Sequence, residues 1–575
     1  MIKIYLPLLA IIGTLFFLSS CKKYADPPPY FEDDSTAAVV GKRKVLLIGI
    51  DGLSGKEFKA LNLPALNGML QKSKYTLVNA VDDAVTTDAA SWKTLLSGVS
   101  FAKHMVRDST FESLEQPEEG QVGTNYPSLF YFIIRSARPD LQSRIVSDWP
   151  EMLSSLTPEA SFKVATQNDA ATKDSVVAAV KNNDDDLLVA HFNGASIAGK
   201  AGAFSASDNG YKAAVLKIDT YINDIMTALK ARPLYNKEED WLVIVTGTHG
   251  GKGNAYGGNS DEEIMVPAIY YHEKMQSTEF VKADYSSVVI NGRDGNTVKA
   301  TVADGRVYDI GTGSQTIQIK IKGSGPFNWP HFMGKTTRFT QVGWTMFTNS
   351  GGSWCFSIRG SNTSEKRLQV TTPNLFDNSW HTVTAVIYDS AGSKWVKRFM
   401  DGVRIQDDNG TRNLGANPGS ISSSDPLMIG WGDDTGFGAM TFNVADFEIF
   451  NTALTDEEVR NNLCLKDLSK HPKYTNLIGY WPCYDGFGSR FKNLAPGMST
   501  HSLGLTGPYL WNADPVIPCT ITPTPAGSNK AQVMLSSAGV PGTIFYWLRI
   551  SVNSKWGIEP SNWLSLYETE FIGVE

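Results

Sequence analysis

Two apolar runs end in side chains able to do chemistry. Lys44 to Ile50 (KVLLIGI) runs into Asp51-Gly52, and Trp241 to Thr246 (WLVIVT) runs into Gly247-Thr248-His249-Gly250-Gly251. Unbroken runs of this length predict strands buried on both faces of a parallel sheet. A carboxylate at the C-terminal end of such a strand, followed by glycine, sits at the crevice where open α/β sheets take ligands. Asp and His are ion ligands as well as acid–base groups, so metal-assisted chemistry is one use of this pattern. A third stretch, Gly432-Asp433-Asp434-Thr435-Gly436, offers oxygen atoms to Ca²⁺ or forms an ordinary solvated turn.

The elements that must position these groups alternate. SLFYFIIRSA reads as a helix, RIVSDWP as a short strand and DLLVAHF as a second buried strand. Tyr211, Val215, Ile218, Ile222 and Ile225 recur at three- and four-residue spacing, which predicts an amphipathic helix. Strand–helix alternation argues for a doubly wound α/β sheet. After VPAIYYHE it stops, and 11 of the 14 Trp lie beyond residue 300. TIQIKIK alternates apolar and polar, as a half-buried strand does. It is followed by GWTMF, WCFSIRG, RLQVTT, WHTVTAVIYD, WVKRFMDGVRI, LMIGW and FNVADFEIFN, a β-sandwich pattern.

At 575 residues the chain holds about three units. A 42% hydrophobic content excludes a disordered chain, and 52 basic against 59 acidic residues, net −7 with no basic cluster, argues against nucleic acid as a partner. Lys3 and the apolar run Leu6 to Leu18 have the length of a signal-peptide core rather than a membrane span. The Leu18-Ser19-Ser20-Cys21 that follows resembles a bacterial lipobox, which implies acylation of Cys21, with 1–21 as signal and 22–42 as a Pro-rich tether to the outer membrane. Export permits disulfides among Cys355, Cys464, Cys483 and Cys519, with pairing left open; the last three lack zinc-knuckle spacing, so one structural bridge among them is expected.

VLLIGIDGL, TTDAASWKTLLSGVSFAKHMV, HFNGASIAGKAG, YKAAVLKIDTYINDIMTAL, VTGTHGG and YGGNSDEEIMVPAIYY, in that order, resemble the alkaline phosphatase superfamily in its type I phosphodiesterase/nucleotide pyrophosphatase branch. The resemblance covers about 230 residues. It implies a doubly wound body, two metal ions, a Ser/Thr nucleophile and six Asp/His ligands. Carried over position by position, Asp51 and His249 are kept. The nucleophile position holds Asp88, with Thr87 one place early. Ser196, Lys200, Thr248 and Tyr256 stand where the remaining ligands would be. The expectation is a degenerate site without two-metal hydrolysis, in which the Lys200 ammonium takes an ion's place and neutralises Asp51 or Asp88. A single ion held by Asp51, Asp88 and His249 is the alternative, and a buried cluster of Asp51, Lys200 and His249 is the simplest outcome. His104 and His191 are expected to be structural.

Trp380-His381-Thr382-Val383, Met400-Asp401-Gly402, Ile429-Gly430 and FEIFNTALTDEEVRNN resemble a laminin-G-like (concanavalin A-like) jelly roll. Such modules bind glycans or proteins, sometimes through calcium, with Trp380 and Trp431 as stacking candidates beside Asp433 and Asp434. VPGTIFYWLRI resembles the closing helix of the phosphodiesterase fold. The expected architecture is therefore an α/β domain (43–280 and 530–575) split by an inserted all-β sandwich (285–465), with 466–529 as its extension and Pro-rich link. The functional expectation is a non-catalytic, glycan- or protein-binding envelope lipoprotein of an outer-membrane uptake system, with no resident cofactor and a transporter as a further partner. The alternatives are a divergent metal-dependent phosphodiesterase or phosphatase, and a purely structural subunit of such a system.

Overall fold

The computed structural model describes residues 41–81, 85–114, 126–136, 138–281, 285–291, 297–302, 304–324, 329–336, 340–349, 351–370, 373–430, 440–507, 509, 511–513, 529–559 and 563–571. Cys21, Trp431, Asp433, Asp434 and Cys519 lie outside them, as do the signal and nearly all of the tether. Among the described residues no helix is long and apolar enough to cross a membrane.

The α/β body is built on β1 (Lys42–Asp51), β2 (Ser73–Ala80), β3 (Ser143–Ser147), β4 (Phe162–Ala165), β5 (Leu187–Phe192), β6 (Glu239–His249), β7 (Met265–Tyr271) and β8 (Thr278–Val281). With the C-terminal strand Lys530–Gln532 first, the sheet order continues β8-β2-β7-β6-β1-β5-β3-β4. The half from β6 to β4 is parallel, whereas β7 runs antiparallel to both β6 and β2. Alternate residues of β1 feed two different cores. Val45 and Leu47 pack with α1 (Asp88–Ser97), α2 (Leu129–Arg135) and the C-terminal helix; Leu46, Ile48 and Ile50 pack with α3 (Asp169–Asn182) and α5 (Asn209–Lys230). Helices thus cover both faces, and β1, β5 and β6 end side by side in the crevice at their C-terminal edge.

The body is completed from the far end of the chain. Lys530–Gln532 pairs parallel with β8, and α6 (Val540–Trp547) packs on α1 and β1. The Trp547 indole donates to the Lys44 carbonyl at 3.0 Å, while Arg43 lies over its ring at 4.7 Å. Between β8 and Lys530 the chain leaves through Ser286–Val288 and returns through Trp511–Ala513, and these two segments pair antiparallel with each other. The α/β domain is therefore split by an insertion.

That insertion is an all-β sandwich of two large sheets. One holds β10 (Gln315–Ser324) between Asp377–Ser390 and β11 (Thr441–Phe450). The other runs from Lys366–Leu368 to β9 (Lys299–Val302), then to β13 (Leu503–Thr506) and β12 (Arg490–Phe491). A single apolar core, including Ile317, Ile319, Ile321, Trp344, Trp354 and Trp481, fills the space between them. The hairpin at Met400 turns through Asp401 (φ 51°) and Gly402 (φ 75°), the pair of positive angles that a two-residue hairpin needs. Cys355 and Cys483 are buried free thiols, and Cys464 is disulfide-bonded.

TIQIKIK departs from its expected half-burial. Thr316, Gln318 and Lys320 are buried too, because the chain around 454–480 folds over the outer face of that sheet. The polar side chains are satisfied internally. Lys320 donates to Asp446 at 2.8 Å, Gln318 to Glu448 at 3.2 Å, and Thr384 to Gln318 at 2.9 Å. Asp446 sits at a bulge in β11 with φ 43°, held by Lys320, Lys466 and the Tyr480 hydroxyl. Burial, reinforced by Asp446 and opposed by Lys320, pushes the Glu448 carboxyl up to about 8.

The folded protein therefore keeps a proton on Glu448 that the unfolded chain releases near 4.5. Stability falls as pH rises between those values. Glu448→Gln should raise stability at pH 8 by roughly 1–3 kcal/mol and by much less at pH 5. Denaturant titrations at the two pH values check this; an equal effect at both would rule the explanation out.

Candidate functional site

Asp51 is the last residue of β1 and is 2% exposed. The next residue, Gly52, turns away at φ 85°, and a Cβ there would meet the Ser196 backbone at 2.7 Å. The close approach of α4 (Gly194–Ala201) to this turn requires the glycine. The Asp51 carboxylate accepts three hydrogen bonds. Trp92 Nε1 at 2.8 Å and Thr248 Oγ1 at 2.5 Å meet Oδ1, and His191 Nε2 at 2.8 Å meets Oδ2. His191, from β5, also contacts Ser147 Oγ at 2.8 Å and has Asp148 at 3.6 Å. Burial opposes charge on the imidazole, but Asp51, with Asp148 and Asp169 behind it, outweighs burial and raises its pKa.

A second pair stands beside the first. Thr87 caps α1: its hydroxyl accepts from Ala90 N at 3.2 Å and donates to the Arg107 carbonyl at 2.6 Å. Asp88 follows at the first helical position, where the helix dipole favours a negative charge, and lies one turn from Trp92 on the same face. Asp88 Oδ1 meets His249 Nε2 at 2.7 Å, and Oδ2 accepts the Tyr256 hydroxyl at 2.6 Å. His249 Nδ1 faces the Gly250 carbonyl at 2.7 Å. Both ring nitrogens therefore face acceptors, which only the imidazolium satisfies. Burial works against this charge, yet Asp88, Asp51 and the Gly250 carbonyl raise the His249 pKa above its usual 6.5. Burial likewise opposes the Asp88 charge, but His249, Tyr256 and Lys200 bring its carboxyl down to about 2.

Aromatic packing closes the site. Tyr256 stacks on His249 with ring centroids 4.4 Å apart, and Phe204 lies 6.0 Å from Tyr256. Phe204 is buried where Gly52, Gly199 and Gly251 converge; a Cβ on any of the three would come within 3 Å of its ring. Ser196 is 2% exposed, and its hydroxyl has no hydrogen-bond partner. Lys200 is exposed, with Nζ 5.1 Å from the Tyr256 ring centre. This corrects the expectation for Lys200: it does not take an ion's place against Asp51, whose charge is met by His191, and it acts on Asp88 only through space. His104 is a contrast. Its Nδ1 accepts from Val106 N at 3.0 Å, leaving Nε2 to donate to Thr94 Oγ1 at 2.9 Å, and burial pushes its pKa down to about 3. It is a neutral core histidine.

Asp51, Asp88 and His249 present ligand atoms within 4.8 Å of one another, a spacing compatible with one divalent ion. Such an ion would have to replace the proton shared by His249 and Asp88. A two-ion centre does not fit, since Thr248 and Tyr256 donate to the carboxylates and Ser196 and Lys200 supply a hydroxyl and an ammonium. Trp92, His191 and Phe204 complete the site although no motif marks them; the glycines at 199 and 251 are the trace that Phe204 leaves. In the sandwich, Trp380 is half-buried and stands edge-on to Tyr285 at 5.7 Å, beside His381 clamped by Asp377 and Asp401.

Residues 294–460 match the Concanavalin A-like lectin/glucanases superfamily. No curated protein matches the chain by sequence. Among solved structures it is similar to a 2-O GAG sulfatase (12% identity, 41% of this chain and 65% of that one, TM-score 0.31). It is also similar to murine ectonucleotide pyrophosphatase/phosphodiesterase 5 (14%, 36% and 58%, TM-score 0.29). A third is a heptameric SAP-like pentraxin from Limulus polyphemus (14%, 40% and 96%, TM-score 0.27). The chain thus spans less than two thirds of the sulfatase and of the phosphodiesterase.

The Asp88–His249 pair stabilises the fold within a defined window. Asp88 contributes above its unfolded value near 3.8 and loses that contribution as pH falls toward 2. His249 contributes fully below 6.5 and loses its part as pH rises through its higher folded value. Asp88→Asn should therefore cost roughly 2–4 kcal/mol at pH 5–6 and lower the His249 pKa. Histidine NMR titration with denaturant unfolding measures both; an unmoved His249 resonance would refute the pairing.

Proposed function

We propose that the chain is a glycan-binding lipoprotein of the cell envelope, in which the α/β body is a catalytically silent scaffold and the sandwich recognises the saccharide. The observation that carries this reading is the internal neutralisation of the crevice: His191 on Asp51 and His249 on Asp88. Carboxylates already engaged by protein donors are poorer ligands for the two metal ions that phosphoryl chemistry needs. The superfamily matched by the sandwich supports the saccharide class, and the signal-like N-terminus ending at Cys21 supports a lipid anchor. The proposal further places the protein at the outer membrane, with a transporter as a second partner.

A second reading is favoured by one feature, the 4.8 Å cluster of Asp51, Asp88 and His249. In it the crevice takes a single divalent ion and hydrolyses a phosphate or related ester.

Purified protein separates the two. On the binding reading, elemental analysis finds less than a tenth of an equivalent of Zn or Mn, and bis(4-nitrophenyl) phosphate is not turned over with either metal added. Retention on a polysaccharide panel persists in EDTA and disappears when 285–520 is removed. Metal-dependent turnover abolished by Asp51→Asn would replace this reading with the second.

A further inference from the structure

Four ionisable side chains meet in the crevice, and Asp88 stands at the centre of their hydrogen bonds. His249 Nε2 meets its Oδ1 at 2.7 Å, and the Tyr256 hydroxyl donates to its Oδ2 at 2.6 Å. The two rings are stacked, 4.4 Å apart and 17° from parallel, so the nitrogen and the phenolic oxygen both address one carboxylate. Asp51 completes the set, with a ligand atom within 4.8 Å of those of Asp88 and His249. The four come from the end of β1, the start of α1, the end of β6 and the loop that follows it.

Their surroundings leave donor atoms free for an ion. Trp92 and Thr248 fill Asp51 Oδ1, whereas Oδ2 meets only His191 among the described residues and keeps a lone pair. The Gly250 carbonyl at 2.7 Å holds a proton on His249 Nδ1, the outer bond that orients a metal-ligating imidazole through Nε2. Lys200 Nζ lies 5.1 Å from the centre of the Tyr256 ring and brings a positive charge to it. Beside the Asp51–Gly52 turn, the Ser196 hydroxyl is buried without a partner, which leaves it free for a water carried by the ion.

The donor types decide which ion. Two carboxylates and an imidazole suit a divalent metal, but the phenol asks for more. With an ordinary pKa of about 10, a tyrosine yields its proton at neutral pH only to a strongly Lewis-acidic ion. Ionised Asp51, Asp88 and Tyr256 carry three negative charges, which a hard trivalent ion cancels. Its entry releases one proton from His249 Nε2 and one from the Tyr256 hydroxyl, and both Asp88 oxygens are then free to bind.

We propose that the crevice is a ferric-ion site, with Asp51, Asp88, His249 and Tyr256 as ligands and Tyr256 bound as the phenolate. This goes beyond the saccharide reading and does not depend on it.

Titration of the purified full-length chain with ferric nitrilotriacetate tests the assignment. The chain should take up one equivalent of iron and develop a visible phenolate-to-iron charge-transfer band. Resonance Raman excitation within that band should show tyrosinate ring modes in the unaltered protein, and a ten-fold excess of Zn²⁺ should not bleach it. Tyr256→Phe keeps a ring on His249 but should lose the band and bind iron at least ten-fold more weakly. No iron retained against nitrilotriacetate, iron bound without the band, a band unchanged in Tyr256→Phe, or bleaching by Zn²⁺ each overturns the proposal.

Discussion

The crevice depends on how one buried carboxylate is neutralised. Asp51 ends the central strand, 2% exposed, in a place where an unpaired charge would cost several kcal/mol. His191, Trp92 and Thr248 meet it from β5, α1 and β6, so one side chain ties together three elements that are distant in sequence. The second pair repeats the solution one layer out, with His249 and Tyr256 on Asp88. Each carboxylate thus faces an imidazole whose pKa the pairing raises. Phe204 and Tyr256 then pack the remaining space with apolar surface, which lowers the local dielectric and strengthens both pairs.

Much of this architecture is legible in the chain. KVLLIGI, DLLVAHF and WLVIVT are buried on both faces and become β1, β5 and β6; the Tyr211–Ile225 stripe becomes the buried face of α5. Of the sandwich strands, GWTMF, WCFSIRG, WHTVTAVIYD and FNVADFEIFN fall in strands, while RLQVTT contributes only Arg367 and Leu368 among the described residues. Residues 51, 88 and 249, far apart in sequence, meet in one crevice because each closes or opens a regular element at the same edge, and Tyr256 joins them from the loop after β6. What the chain does not disclose is which donor answers which acceptor. Lys200 has the charge to neutralise Asp51 but lies on the solvent side of α4, whereas His191 points inward near the C-terminal end of β5. Periodicity assigns faces and says nothing of the last few ångströms that choose a hydrogen-bond partner.

Covering by a later segment is not written in a strand's own alternation. Alternation in TIQIKIK correctly assigns its isoleucines to the core, but it cannot reveal that a later segment covers the opposite face. There, Gln318, Lys320, Asp446 and Glu448 satisfy one another, which lets a polar face be buried and makes its stability depend on protonation. Phe204 is a parallel case, since its position is written in glycines on three separate segments rather than in its own neighbourhood.

The ribbon of Ser286–Val288 with Trp511–Ala513 sets how the two bodies are joined. Chain entering the sandwich is zipped to chain leaving it, so the module's own ends are held together before its sheets begin. An exchange event at that neck would lift out a self-contained cassette and leave the host with a gap that a short peptide can bridge. The sandwich and the α/β body are thus joined in a way that recombination can cut and rejoin at one place.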